Sequence, residues 1–132
     1  MKSIVCAASF LLSVVSFAQS SKISTIDFVQ IQNDNIEEAI FYYENNWLVL
    51  RKMAVENGFI DSYEIIQVEA ADDSPFHLIL KTTYPDKLSF EKAEERFSAL
   101  INEKGALRLL NNKQPADFRK VIFSKTDGKH LF

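Results

Sequence analysis

The chain has 132 residues, 47% of them hydrophobic, with 15 basic and 18 acidic side chains and a formal net charge of −3. A mildly acidic balance without a basic tract argues against nucleic acid or an anionic membrane surface as partner, since both need a concentrated basic face. Three glycines and one cysteine are too few for a phosphate-cradling loop, a dinucleotide fingerprint or a cysteine-ligated zinc, and no cofactor motif is present.

The N-terminus reads Met1-Lys2, an apolar run from Ile4 to Phe17, and Ser16-Phe17-Ala18 ahead of Gln19. A positive start, a short apolar core and a small residue at the cleavage point form a secretory signal peptide over residues 1–18. The run is shorter than the roughly 20 residues a bilayer requires. Cys6 lies at its start, whereas a lipidated cysteine would follow the cleavage point. The expectation is an exported chain, periplasmic or secreted, that begins at Gln19 with no membrane attachment. Having lost its only cysteine, it must fold without a disulfide. Residues 19–25 read as a flexible lead and 26–132 as one domain.

In chain order, Ile26 to Gln32 alternates apolar and polar side chains and predicts a half-buried first strand, with Ile26, Phe28 and Gln30 on one face. Asn35 followed by Glu38 has the form of a capping box. Behind it Ile36, Ile40, Tyr43, Trp47, Leu50 and Ala54 make a helical stripe, closed by Gly58. Phe41, Leu48 and Val55 form a second apolar line, the place for a partner or another packed element. Ile60 to Val68 and Phe76 to Tyr84 read as two strands around the loop Ala70 to Pro75. Ser89 is the candidate N-cap of a second helix through Phe90, Ala93, Phe97, Leu100 and Ile101 to Gly105. Ala106 to Asn111 is one more helical turn or irregular, Pro115 bars continuation, and Phe118 to Ser124 reads as the last strand.

The resulting β-α-β-β-α-β order predicts an α+β, ferredoxin-like fold: a four-stranded antiparallel sheet with both helices on one face. Ile65-Ile66 and Leu78-Ile79-Leu80 place apolar residues on both sides of their strands. A second copy of the sheet is the simplest cover for the helix-free face, so a homodimer is expected, with Ile66 and Ile79 as candidate interface positions.

This element order, together with Glu44-Asn45-Asn46-Trp47 running through Ala54 to Gly58-Phe59-Ile60 and then Tyr63, resembles the dimeric α/β-barrel superfamily. That superfamily includes antibiotic-biosynthesis monooxygenase-type and EthD-type domains and uncharacterised exported relatives. The resemblance implies a cavity between helices and sheet and, in enzymatic members, chemistry often done without a cofactor. The Asn, Trp, His set of the haem-degrading members does not map onto Trp47 and His77, so no catalytic residue carries over.

The candidate ligand-binding residues are Tyr43, Trp47, Arg51, Tyr63 and His77, with Tyr42 beside them: aromatic rings with polar edges near an arginine suit the lining of a small-molecule cavity. Packing against the sheet also accounts for Tyr43 and Trp47, and a structural place in its strand for His77. His130 falls in a tail that reads as solvent-exposed, and Asp72-Asp73 as a solvated loop without a calcium-loop pattern. Three functions fit these features. The first is an exported homodimer that binds a small apolar ligand. The second is a cofactor-independent oxygenase or isomerase using the same cavity. The third is a protein-interaction module with a filled interior and an exposed Phe41, Leu48, Val55 line.

Overall fold

In the computed structural model, which describes residues 20–132, four strands form one antiparallel sheet in the order β2-β3-β1-β4. They are β1 (Ile23–Ile31), β2 (Ser62–Gln67), β3 (Leu78–Tyr84) and β4 (Arg119–Lys129). The predicted signal peptide lies outside the described residues. β1 begins at Ile23, three residues before the alternation suggests and inside the expected lead, where Ile23 pairs with both Tyr84 and Lys129.

Between β1 and β2 runs one continuous helical rod: α1 (Ile36–Tyr42), a π-helical turn over Tyr43–Trp47, and α2 (Leu48–Glu56). Asn45 and Asn46 sit inside the wide turn and donate from Nδ2 to the carbonyls of Phe41 and Tyr42, four residues back. Short polar side chains that compete for backbone acceptors loosen a helix, and the extra residue shifts the phase of the side chains beyond it. The uniform stripe expected from Ile36 to Ala54 is therefore not what packs. Ile36 and Ile40 are 46% and 37% exposed, while Ala39, Tyr43 and Ala54 are buried. The second line is broken as well: Phe41 lies under the Arg108 guanidinium at 5.8 Å, Leu48 lines a hollow with Ile65, and Val55 is exposed.

Two other helix starts differ from expectation. Asn35 and Glu38 form no capping box. Asn35 donates to the Asp117 carbonyl and accepts from Lys113, while Glu38 accepts from Asn111 at 3.1 Å and pairs with Lys113 at 3.3 Å. Both side chains thus fasten the segment 111–117 onto α1. The second helix is capped by Asp86, whose Oδ1 accepts from the Ser89 N–H at 2.7 Å, and Ser89 is buried within α3 (Lys87–Glu91). After a break at Lys92 comes α4 (Ala93–Lys104), ended by Gly105 at φ 86°, the left-handed region that favours glycine. Residues 106–111 are irregular. Pro115 opens a short helix, α5 (Pro115–Phe118), in keeping with proline's preference for the first helical position, where no N–H is needed.

Side chains alternate across the sheet, so the register assigns each residue a face. Val29 pairs with Leu78, and both are buried with Ala39 and Tyr43 of the helical rod. Ile31, Leu80 and Phe118 complete this core, and a second cluster joins Ala54, Ile60, Tyr84 and Leu100. Asp27, directly opposite Leu80, shares the helix-covered face. The alternation in β1 holds, with Ile26 and Phe28 sharing one face as expected: Val29 and Ile31 face the helices, and Ile26 and Phe28 the open side. Phe28 pairs with Ile79 and Phe123, and Ile79 with Ile66. Phe76 adds an edge-on ring 4.9 Å from Phe28. Ile66 and Phe123 on this face are 45% and 58% exposed. The segment 106–115 folds over the helical rod, where Leu109 joins the core, and leaves the open face uncovered among the described residues.

Candidate functional site

The π-helical turn places Trp47 and the first residues of α2 against α4 and the segment after it. Tyr42, Asn46, Trp47, Leu50, Arg51, Ile101, Lys104, Gly105 and Leu107 line a cavity of about 230 Å³ there. This is just under the roughly 300–1,000 Å³ usual for small-molecule sites.

Arg51 is the central polar group. Its guanidinium lies over the Trp47 ring at 4.3 Å and the Phe97 ring at 4.4 Å, and its Nε donates to Thr82 Oγ1 on β3 at 3.1 Å. Stacking on ring faces favours a cation, and guanidinium is the cation best suited to it. Burial lowers the Arg51 pKa to about 10, partly offset by Tyr84, Asp27 and Tyr42, so the side chain stays charged at neutral pH. No carboxylate among the described residues lies within ion-pair distance of it. Asp27, the acidic group in its field, accepts from Ser124 Oγ at 2.6 Å.

Asn46, 1% exposed, holds the far wall. Its Nδ2 donates to the Arg108 carbonyl at 2.8 Å as well as to Tyr42, and its Oδ1 accepts from Lys104 Nζ at 2.8 Å and the Arg108 N–H at 2.9 Å. One side chain therefore satisfies the end of α4, the loop behind it and the loosened helix. Behind Tyr42 stands Arg119, stacked on that ring at 5.0 Å and donating from Nη2 to its hydroxyl at 3.3 Å.

Of the residues singled out in the sequence, Trp47 and Arg51 line the cavity, and Tyr63 meets Trp47 edge-on at 6.1 Å. Trp47 is half-buried rather than enclosed. Tyr43 turns into the core, where burial pushes its phenol well above the usual tyrosine range. It lines a different hollow of about 220 Å³ with Ile40, Glu44, Leu48, Ile65 and Leu78. His77 joins neither group. Its Nδ1 accepts the Ile31 N–H at 2.9 Å, and its own N–H donates to the Val29 carbonyl, so it extends the β1 and β3 pairing. His130 is not a solvated tail residue: its Nε2 lies 2.7 Å from Ser24 Oγ, which also bonds Thr83.

Asn46 and Lys104 are the site residues that sequence reasoning missed. The signal for Asn46 was present, since two adjacent asparagines in the middle of a helical stripe disfavour the helix unless their amides find partners. Lys104 carried no signal, because it differs in no way from the other charged residues of α4 until the chain folds.

No protein-family model matches this chain, and neither does any curated protein sequence. Two solved structures resemble it. An EthD-family protein from Bacillus halodurans C-125 is 13% identical, with a TM-score of 0.46 over 67% of this chain and 94% of its own; so distant a likeness carries no argument. A dimeric protein of unknown function and ferredoxin-like fold from Bacteroides fragilis NCTC 9343 is 8% identical, with a TM-score of 0.51 over 87% of this chain and all of its own. At that identity the likeness concerns the fold alone, and it agrees with the strand order and helix placement: the chain is an α+β domain of ferredoxin-like fold.

Proposed function

We propose that this protein is an exported, homodimeric binding domain that holds a small, largely apolar molecule in the cavity between its helical rod and α4, rather than between helices and sheet as the sequence suggests. The observation that carries the reading is the cavity itself, walled by Trp47, Leu50, Ile101 and Leu107 and entered by a charged, stacked arginine. A protein-interaction module would have a continuous apolar helix face, whereas here the Phe41, Leu48, Val55 line is divided and a cavity opens beside the helical rod. An oxygenase or isomerase would need a buried polar group beside the aromatic rings; the polar groups lining the cavity, Tyr42, Asn46, Arg51 and Lys104, are mainly hydrogen-bond donors and cations, which suit holding a ligand's polar edge.

Dimerisation is supported by the open sheet face, where Phe28, Ile66, Phe76, Ile79 and Phe123 form an apolar patch rimmed by Glu64, Lys81 and Lys125. A two-fold axis would set this patch against its own copy. Native mass spectrometry of the protein from its own host tests the reading. The expected species has the mass of two chains starting at Gln19 together with a bound small molecule. A single ligand-free chain that also fails to take up any added apolar compound would refute it.

A further inference from the structure

The charge on the cavity wall narrows the ligand class beyond an apolar molecule. Two of the lining residues, Arg51 and Lys104, are cations, and no lining residue is acidic. Among the described residues, Lys104 Nζ is held by neutral acceptors only, Asn46 Oδ1 at 2.8 Å and the Ala106 carbonyl at 3.4 Å. Arg51 uses Nε on Thr82 and its flat faces on Trp47 and Phe97. Its two terminal nitrogens have no acceptor among the described residues. They form the fork that matches a carboxylate through two parallel hydrogen bonds. A half-buried cation without a counter-ion is costly unless an anion arrives to pair with it. The surrounding rings fix the orientation of that fork before any ligand enters, which lowers the ordering cost of binding.

We propose that the ligand is a small aromatic or branched-chain carboxylate, its acid group taken by the Arg51 fork with Lys104 beside it and its body lying on Trp47, Leu50, Ile101 and Leu107. This rests on the cavity being a binding site. Asp27, on the helix-covered face of the sheet, makes no ion pair with Arg51 and accepts from Ser124 Oγ instead, so it leaves the fork free.

The test uses phenylacetate and its neutral near-isostere 2-phenylacetamide, titrated into the mature protein while the emission of Trp47, the sole tryptophan, is followed. The expected result is saturable binding of the acid, about tenfold or more tighter than the amide, as charge-assisted hydrogen bonds in a partly desolvated site require. Arg51→Gln should abolish that preference, and Arg51→Lys should retain part of it. The acid-to-amide ratio in the unaltered protein stands alone should either variant fail to fold. Equal binding of acid and amide would overturn the carboxylate assignment while leaving the cavity as a binding site. Binding of neither at millimolar concentration would overturn both.

Discussion

Replacing Asn46 by Leu, a side chain of similar size without hydrogen-bonding groups, removes four hydrogen bonds from a position that is 1% exposed. The Tyr42 carbonyl is helical and loses only a second donor. The Arg108 N–H and carbonyl and the Lys104 ammonium lose partners that hold the loop to the helix. About 0.5–1.5 kcal/mol for each of the two neutral bonds to Arg108 and about 1.5–3 for the one to the ammonium give a loss of about 2.5–6 kcal/mol, reduced where water reaches the freed groups. Urea unfolding followed by Trp47 fluorescence measures it, and amide exchange should show protection lost first over residues 104–110. Asn46→Asp separates the two halves of the interaction. It keeps the acceptors for Lys104 and the Arg108 N–H, with a full charge toward the ammonium, but loses both donors and sets an oxygen against the Tyr42 and Arg108 carbonyls, so the Lys104 contact should survive while the Arg108 carbonyl is released. A change below about 0.5 kcal/mol with unaltered exchange would show that the loop is held by Leu109 packing and that the asparagine is incidental.

Three further outcomes follow from the same geometry. Trp47→Ala should cost about 2–3 kcal/mol, less than the roughly 3–5 expected for a fully buried tryptophan, because the ring is half-exposed and borders a cavity; chemical denaturation decides. Hydrogen bonds from Asn111 and from its own backbone N–H, with Lys113 adding to them, hold the Glu38 carboxyl below its ordinary value of 4.5. Its stabilisation is therefore complete above that value and lost as pH falls through the lowered one, so the stability gap between wild type and Glu38→Gln should close in acid. A gap that stayed constant with pH would mean that these partners do not act on the carboxylate. Ile79→Asp, opposite both Phe28 and Ile66 on the open face, should convert the dimer to a monomer in light scattering while leaving the far-UV circular dichroism unchanged. A wild-type protein already monomeric at tens of micromolar would contradict the sheet-to-sheet interface.

The sheet was readable because its signal is local and periodic: β-branched runs marked the strands, Gly58 and Gly105 ended the helices, and apolar residues at both parities of β2 and β3 pointed to a second apolar face, though only the register pairs Ile66 with Ile79 on it. What was not readable depended on partners distant in sequence. Asn35 and Glu38 have the spacing of a capping box, yet they bond residues more than seventy positions away, and His130 reaches Ser24 across 106. The cavity lies between these cases. Trp47 and Arg51 were visible as members of an aromatic set near an arginine, though not as a stacked pair, but Tyr43 fell to the other side once the π-helical turn changed the phase, and His77 was claimed by β1. The turn is not encoded by periodicity at all. It follows from two asparagine amides competing for backbone carbonyls.

A small-ligand site walled by Trp47, Asn46 and Arg51 would register in a nitrogen-15 correlation spectrum of the mature protein as phenylacetate is added. The expected result is concerted, saturable shifts of the Trp47 indole N–H, the Asn46 side-chain amide and the Gly105 and Leu107 backbone amides, with the open sheet face silent. Shifts confined to Phe28, Ile66 and Ile79, or none at millimolar ligand, would contradict it.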